Sequence, residues 1–271
     1  YNIHNKDDCL LNEWIEFSKL AEEYKYTCDE ECRREWDTFY VGQIGLGSLK
    51  IWAKEDNPKE YSIVIQNDVW PSIMNACKNG KGTSYDVAKV IQIMYRDYYI
   101  CVSIKDCKWF YYDEILNRWI MDDRGIRLKE KISTDLYNEF AKAARDQLDR
   151  SMADPNGADS VFGLQHANIS KVMFRLKETS FKANIMTECS ELFYDKGRLF
   201  LDKLDSYNHL LGFNNGVYDL THEEFRKGRP EDYISKSTNI NYLPYDSENE
   251  EIREINQFYK KIFILENVRT Y

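Results

Sequence analysis

The stretch Leu210-Leu211-Gly212-Phe213-Asn214-Asn215-Gly216-Val217-Tyr218-Asp219-Leu220 decides how this chain is read. Its apolar opening stops at two asparagines and a glycine, residues that enter positive φ at low cost, and Val217 to Leu220 then alternate faces as a short strand does. A tight hairpin is predicted, turning through positive φ at 214–216. Residues 225–235, Phe-Arg-Lys-Gly-Arg-Pro-Glu-Asp-Tyr-Ile-Ser, add three bases just downstream, and residues 233–242 read as a last strand-rich piece.

Upstream of the hairpin, residues 161–176 and 180–193 have helical periodicity with bases on their polar sides. The Asp154-Pro155-Asn156-Gly157 turn in 151–157 suggests a boundary between two units, 1–150 and 151–271. In the first unit, Leu128, Ile132, Leu136, Phe140, Ala144 and Leu148 recur at steps of four along a predicted helix. Three strand-like runs precede it, at 98–104, 109–113 and 118–121. Their aromatics Trp109, Tyr111 and Trp119 have the chemistry to stack unpaired bases, but alternating aromatics on a short meander usually pack beneath a helix, and they are assigned to the core.

Toward the amino terminus, residues 10–26 and 29–39 read as helices packing through Trp14, Phe17, Trp36 and Phe39, and residues 84–94 as one capped at Ser84. Gly42-Gln43-Ile44-Gly45-Leu46-Gly47-Ser48 imitates a phosphate loop but has Ser48 where the phosphate-reaching lysine is required, so a turn capping a helix near Ser48 is expected. Residues 79–83, containing Gly-Lys-Gly-Thr, read as a loop between helices, and residues 252–263 as a terminal amphipathic helix. The fold class is α+β: mainly helical, with small antiparallel hairpins or meanders, in two subdomains.

The chain has 271 residues, 43% hydrophobic and 14% aromatic, enough for a folded interior. Its net charge of −9 is uneven: residues 1–70 hold 15 acids and 8 bases, 71–245 hold 25 of each, and 246–271 hold 6 acids and 4 bases. Such a balance does not advertise a broad duplex-binding face, and any grip on nucleic acid is expected to be local. The candidates are Lys171, Arg175, Lys177 and Lys182 on the helical pattern, with Arg226, Lys227 and Arg229 beside the hairpin; solvated surface is the competing reading. Seven scattered cysteines suggest reduced thiols in an intracellular compartment, and the Cys28/Cys32 pair finds no second pair to complete a zinc site. No apolar run approaches the length of a membrane span.

No catalytic constellation is found: the four histidines are isolated, and the adjacent carboxylates Asp122-Asp123, Glu223-Glu224 and Glu231-Asp232 are expected to be solvated. No catalytic or metal-ligating residue is therefore nominated. The first residue is Tyr1, and the chain is expected to be a piece of a longer one.

Residues 210–235, together with Ser84-Tyr85-Asp86-Val87-Ala88-Lys89-Val90 and the meander to Met121, resemble the region preceding the helicase in primase-helicases of large DNA viruses, phages and plasmids. Residues 47–58 resemble the linker module that follows the primase catalytic domain in that family. The resemblance covers roughly 40–271, with 1–150 as a primase C-terminal-type module and 151–271 as a collar-like pre-helicase domain. It implies a parent protein with a primase upstream and an ATP- and Mg-dependent superfamily 3 helicase downstream, assembled as a homo-hexamer in the host cytoplasm or a viral replication factory. It further implies that this region is non-catalytic, couples the two engines, and guides single-stranded DNA. Two alternatives stay open: an interaction module recruiting replication proteins without DNA contact, and a self-contained enzyme of unfamiliar type.

Overall fold

Among the residues described by the computed structural model, 11–19, 29–38, 46–246 and 248–263, aromatic and β-branched runs form sheets and periodic runs form helices. The amino-terminal helices are α1 (Leu11–Lys19), α2 (Asp29–Thr38), α3 (Leu46–Asp56), α4 (Pro58–Cys77) and α5 (Ser84–Tyr95). A meander of β1 (Tyr99–Ser103), β2 (Lys108–Asp113) and β3 (Arg118–Asp123) follows, then α6 (Ile126–Lys131), α7 (Tyr137–Ala153), α8 (Val161–Arg175), α9 (Thr179–Leu192) and α10 (Leu199–Lys203). The second meander is β4 (Leu210–Phe213), β5 (Gly216–Asp219) and β6 (Glu224–Arg226), and α11 (Glu250–Ile262) ends the described chain. The mainly helical α+β class is thus observed, and both sheets are antiparallel.

The first meander is a middle layer with a core on each face. Trp109, Tyr99 and Cys101 point into the larger core, with Ile73 of α4, Val87 and Ile91 of α5, Phe140 of α7, Ile169 and Val172 of α8, and Ile185 of α9. Tyr112 and Trp119 point the other way, against Ile51 of α3 and Phe200 of α10. Period-two alternation supplies both faces at once, since consecutive side chains on a strand leave opposite sides. Trp109 and Trp119 are core residues, as expected. Helix α7 continues to Ala153, into the predicted 151–157 turn, and packs on α8, and the larger core takes residues from both sides of position 150.

The steps-of-four stripe folds as α6 and α7 joined by a π turn, Ile132–Leu136. At 3.6 residues per turn a step of four rotates about 40° past a full turn, so an ideal helix would carry the stripe off the core; a wide turn absorbs part of that drift. Leu128, Ile132, Leu136, Phe140 and Ala144 are all buried in consequence. Helix α5 is capped by Thr83, one residue before the expected Ser84, and α3 starts at Leu46, ahead of the expected Ser48.

Two local expectations are corrected. The hairpin turn uses no positive φ at Asn214, Asn215 or Gly216. Instead, the Asn215 side chain accepts from Tyr242 N at 2.8 Å and donates to Tyr242 O at 3.1 Å, tying the turn to the outgoing chain. Gly216 is required by close approach, because a Cβ there would meet Arg226 O at 2.5 Å and the Phe225 ring at 2.6 Å. Residues 233–242 form no strand: Thr238 N donates to Gly212 O and Asn214 N donates to Ile240 O, both at 2.9 Å, but positive φ at Tyr233 and Asn239 interrupts the ladder. The expected packing of Trp14, Phe17, Trp36 and Phe39, together with Tyr1, His4, Cys28, Gly42 and Gly45, lies outside the described residues.

Candidate nucleic-acid interface and helix joint

The seven nominated bases fall into two groups with different surroundings. Near the hairpin, Arg226 is 11% exposed and forks onto Asp232 with two 2.8 Å bonds. Asp232 also caps the following turn by accepting from Arg229 N at 2.8 Å, and is itself only 1% exposed. The predicted solvation of Glu231-Asp232 is therefore corrected, and so is that of Asp122, which is buried and accepts from Arg127 N at 2.9 Å. Lys227 pairs with Glu55, and the Arg229 guanidinium lies 5.1 Å from the Trp52 ring centre. Burial and the neighbouring Arg226 lower the Arg229 pKa from its ordinary value. All three bases are directed at α3 or at their own turn.

The second group surrounds the 78–82 loop. Asn168, Lys171 and Arg175 share one face of α8, at i, i+3 and i+7. Asn168 donates to Lys78 O at 3.3 Å, and the Arg175 guanidinium donates to Lys81 O and, at 3.3 Å, to Gly82 O. Lys171 therefore stands beside the loop. The loop fits tightly: Gly80 and Gly82 have positive φ, and a Cβ at Gly82 would meet Val172 at 2.5 Å. The Arg175 guanidinium also lies 3.9 Å from the Phe181 ring centre, so the start of α9, which carries Lys182, packs beside the end of α8. Lys177 is over the Tyr137 ring at 3.8 Å, facing α7.

Lys78, Lys81, Lys171 and Lys182 make no salt bridge among the described residues. Phe174, one turn from Lys171, is 65% exposed. Lysines without salt bridges and an exposed ring are the groups with which proteins meet phosphate and base on an unpaired strand. Sequence reasoning nominated Lys171 and Lys182 but missed Lys78, Lys81 and Phe174. The Gly-Lys-Gly context of Lys81 was the available signal; the docking of the loop on α8 was not readable.

The joint between α3 and the rest of the fold was also missed. Gly47 N and Ser48 N donate to Glu231 Oε1 at 3.0 and 3.3 Å, and the Ser48 hydroxyl donates to Glu231 Oε2. Further along α3, Lys50 pairs with Asp97 at 2.6 Å and Lys54 with Glu114 at 2.9 Å. Trp119 Nε1 donates to Pro230 O at 2.7 Å and Gly228 N donates to Asn117 Oδ1 at 3.0 Å, so the two stretches that carry the family resemblance interlock.

Among the described residues, His166 and His222 lie beside oxygen partners and Cys77 and Cys101 are buried thiols. His166 Nδ1 is 2.9 Å from Ala144 O, and His222 Nδ1 is 2.9 Å from Asp219 Oδ2. Burial raises the Cys77 thiol to about 12 and the Cys101 thiol to about 11, far from nucleophilic values. Among the described residues no three His, Cys, Asp or Glu side chains are grouped to hold a metal ion, and no helix is long and apolar enough to cross a membrane.

Such a region, mainly helical and gripping an amino-terminal helix through the turn that follows its second meander, matches two sequence families in series. The family described as D5 N terminal like matches residues 88–264, and the one described as Primase C terminal 2 (PriCT-2) matches residues 2–53. Relatives include "Putative helicase L207/L206" of Acanthamoeba polyphaga mimivirus, 33% identical over 99% of this chain and 27% of that protein. "Putative helicase 184R" of Invertebrate iridescent virus 6 is 42% identical over 100% of the chain and 32% of that protein. "Putative primase C962R" of African swine fever virus is 21% identical over 88% of the chain and 26% of that protein. The chain belongs to the D5 N terminal like family and, within it, to the viral primase-helicases. It spans between 26% and 32% of the length of these relatives.

Proposed function

We propose that this chain is the middle region of a viral DNA primase-helicase that acts in DNA replication, coupling the primase to a hexameric superfamily 3 helicase and guiding single-stranded DNA between them. The observation that carries the reading is the serial arrangement of a primase-type segment and a D5-type segment, held together at α3. In this reading the region does no bond chemistry. ATP and Mg belong to the helicase portion, primer synthesis to the primase portion, and the whole works in the host cytoplasm or a viral replication factory.

Guidance of the strand is assigned to Lys78, Lys81, Lys171 and Lys182 with Phe174. With a net charge of −9 the chain repels DNA as a whole, so affinity depends on this patch. Fluorescence anisotropy with a labelled single-stranded oligodeoxythymidylate tests it. Four neutralised phosphates give a log–log salt slope of about −3, at roughly 0.7 per phosphate. The combined K78E, K81E, K171E and K182E variant loses binding while keeping its helical circular dichroism. Salt-independent binding, or binding unaffected by the four reversals, overturns the assignment.

The second reading, a docking module for replication proteins, is favoured by α11, whose Ile255, Phe258, Tyr259 and Ile262 are all exposed on a helix with no buried residue. Capture of a replication protein by a chain that binds no DNA would select it.

A further inference from the structure

We infer that Glu231 is a helix cap supplied across the fold, a positioning residue that locks α3 onto the D5-type unit. The first N–H groups of a helix have no acceptor inside it and must find one elsewhere. Here Gly47 N and Ser48 N find theirs on a carboxylate more than 180 residues away, and the Ser48 hydroxyl, fully buried, takes the second oxygen. An anion at this end of a helix is also favoured by the helix dipole.

The surrounding contacts make the cap specific to one seat. A Cβ at Gly47 would lie 2.9 Å from Pro230 Cγ and 3.0 Å from Glu231 Oε1, so only glycine lets the turn approach. Ile51 is buried against Tyr112, Trp119 and Phe200, while Trp52, Lys50, Lys54 and Glu55 meet Arg229, Asp97, Glu114 and Lys227. All of these partners lie within residues 88–264, whereas α3 begins inside the 2–53 match and ends at Asp56. The primase-type segment therefore ends as part of the D5-type unit, and the direction of α3 is set by the turn 227–232. Its consequence for activity rests on the coupling proposed above; the lock itself does not.

Hydrogen exchange on the purified chain tests the lock. In E231A, the amides of residues 47–53 exchange faster by on the order of tenfold, the cost of a lost cap, while α5, α8 and α9 keep their protection. G47A, with Glu231 intact but its approach blocked, shows the same local acceleration. Unchanged exchange at 47–53 in both variants overturns the lock, as does loss of protection throughout the molecule in both. Primer synthesis and ATP turnover by the full-length primase-helicase carrying E231A give a separate readout. If α3 is released while the two activities stay coupled, the lock stands and the coupling reading falls.

Discussion

At the scale of single residues, the buried Arg226–Asp232 pair bears the largest consequence. Both partners are out of water, and Asp232 additionally accepts from Arg229 N, so the ion pair organises the turn that presents Glu231 to α3. Removing one member leaves the other charge buried without compensation, which typically costs about 3–5 kcal/mol. Arg226→Ala is therefore expected to lower the unfolding free energy by an amount in that range in urea titrations, whereas Lys227→Ala, whose partner Glu55 is half exposed, should cost about 0–1 kcal/mol. Sequence could not separate these two neighbours. Both are bases in a run of three, and only the fold puts Asp232 behind one of them. Gly216 was legible as a special position, but for the wrong reason: its need arises from Arg226 O and Phe225 beside it, which local turn chemistry cannot reveal.

At the scale of elements, periodicity was readable and capping across the fold was not. The meander, the helices at 161–175 and 179–192, and the core assignment of Trp109 and Trp119 follow from alternation and helical spacing, because those patterns are local. The π turn was hidden in the same pattern, since a stripe at steps of four signals its own mismatch with 3.6 only when the drift is followed over several turns. The β5–β6 turn gives a prediction of this scale. Asp219 sits at its start; burial alone would raise its pKa, but His222 Nδ1 and the N–H groups of Thr221 and His222 outweigh burial and hold it below the ordinary carboxylate value. A group lowered in the folded state stabilises above its unfolded pKa of about 3.9 and loses that contribution as pH falls through its folded value. The stability gap between the wild-type protein and D219N should therefore be full above about pH 5 and close progressively as the pH falls through the lowered folded-state pKa of Asp219. A gap that widens on acidification would contradict this account of the turn.

At the scale of the whole molecule, the first meander is the layer through which everything else is related. One face carries the helical core with the lysine-rich 78–82 loop at its edge, and the other face seats α3 and the 227–234 segment. In the proposed function, a primase-type segment attached on one face and a basic surface bordering the other core carry force and DNA through one small body. Much of this was legible as family resemblance, because 84–121 and 210–235 are the stretches that interlock through Trp119 and Asn117. The basic surface was half legible: α8 and α9 advertised Lys171 and Lys182, while Lys78 and Lys81 joined them only through tertiary docking. The most direct test is photo-crosslinking of single-stranded oligodeoxythymidylate to the full-length primase-helicase, followed by peptide mapping. Crosslinks in the peptides holding residues 78–82 and 171–182 are predicted; crosslinks confined to other regions, or to residues 226–229, would contradict the assignment of this region as a guide for the unpaired strand.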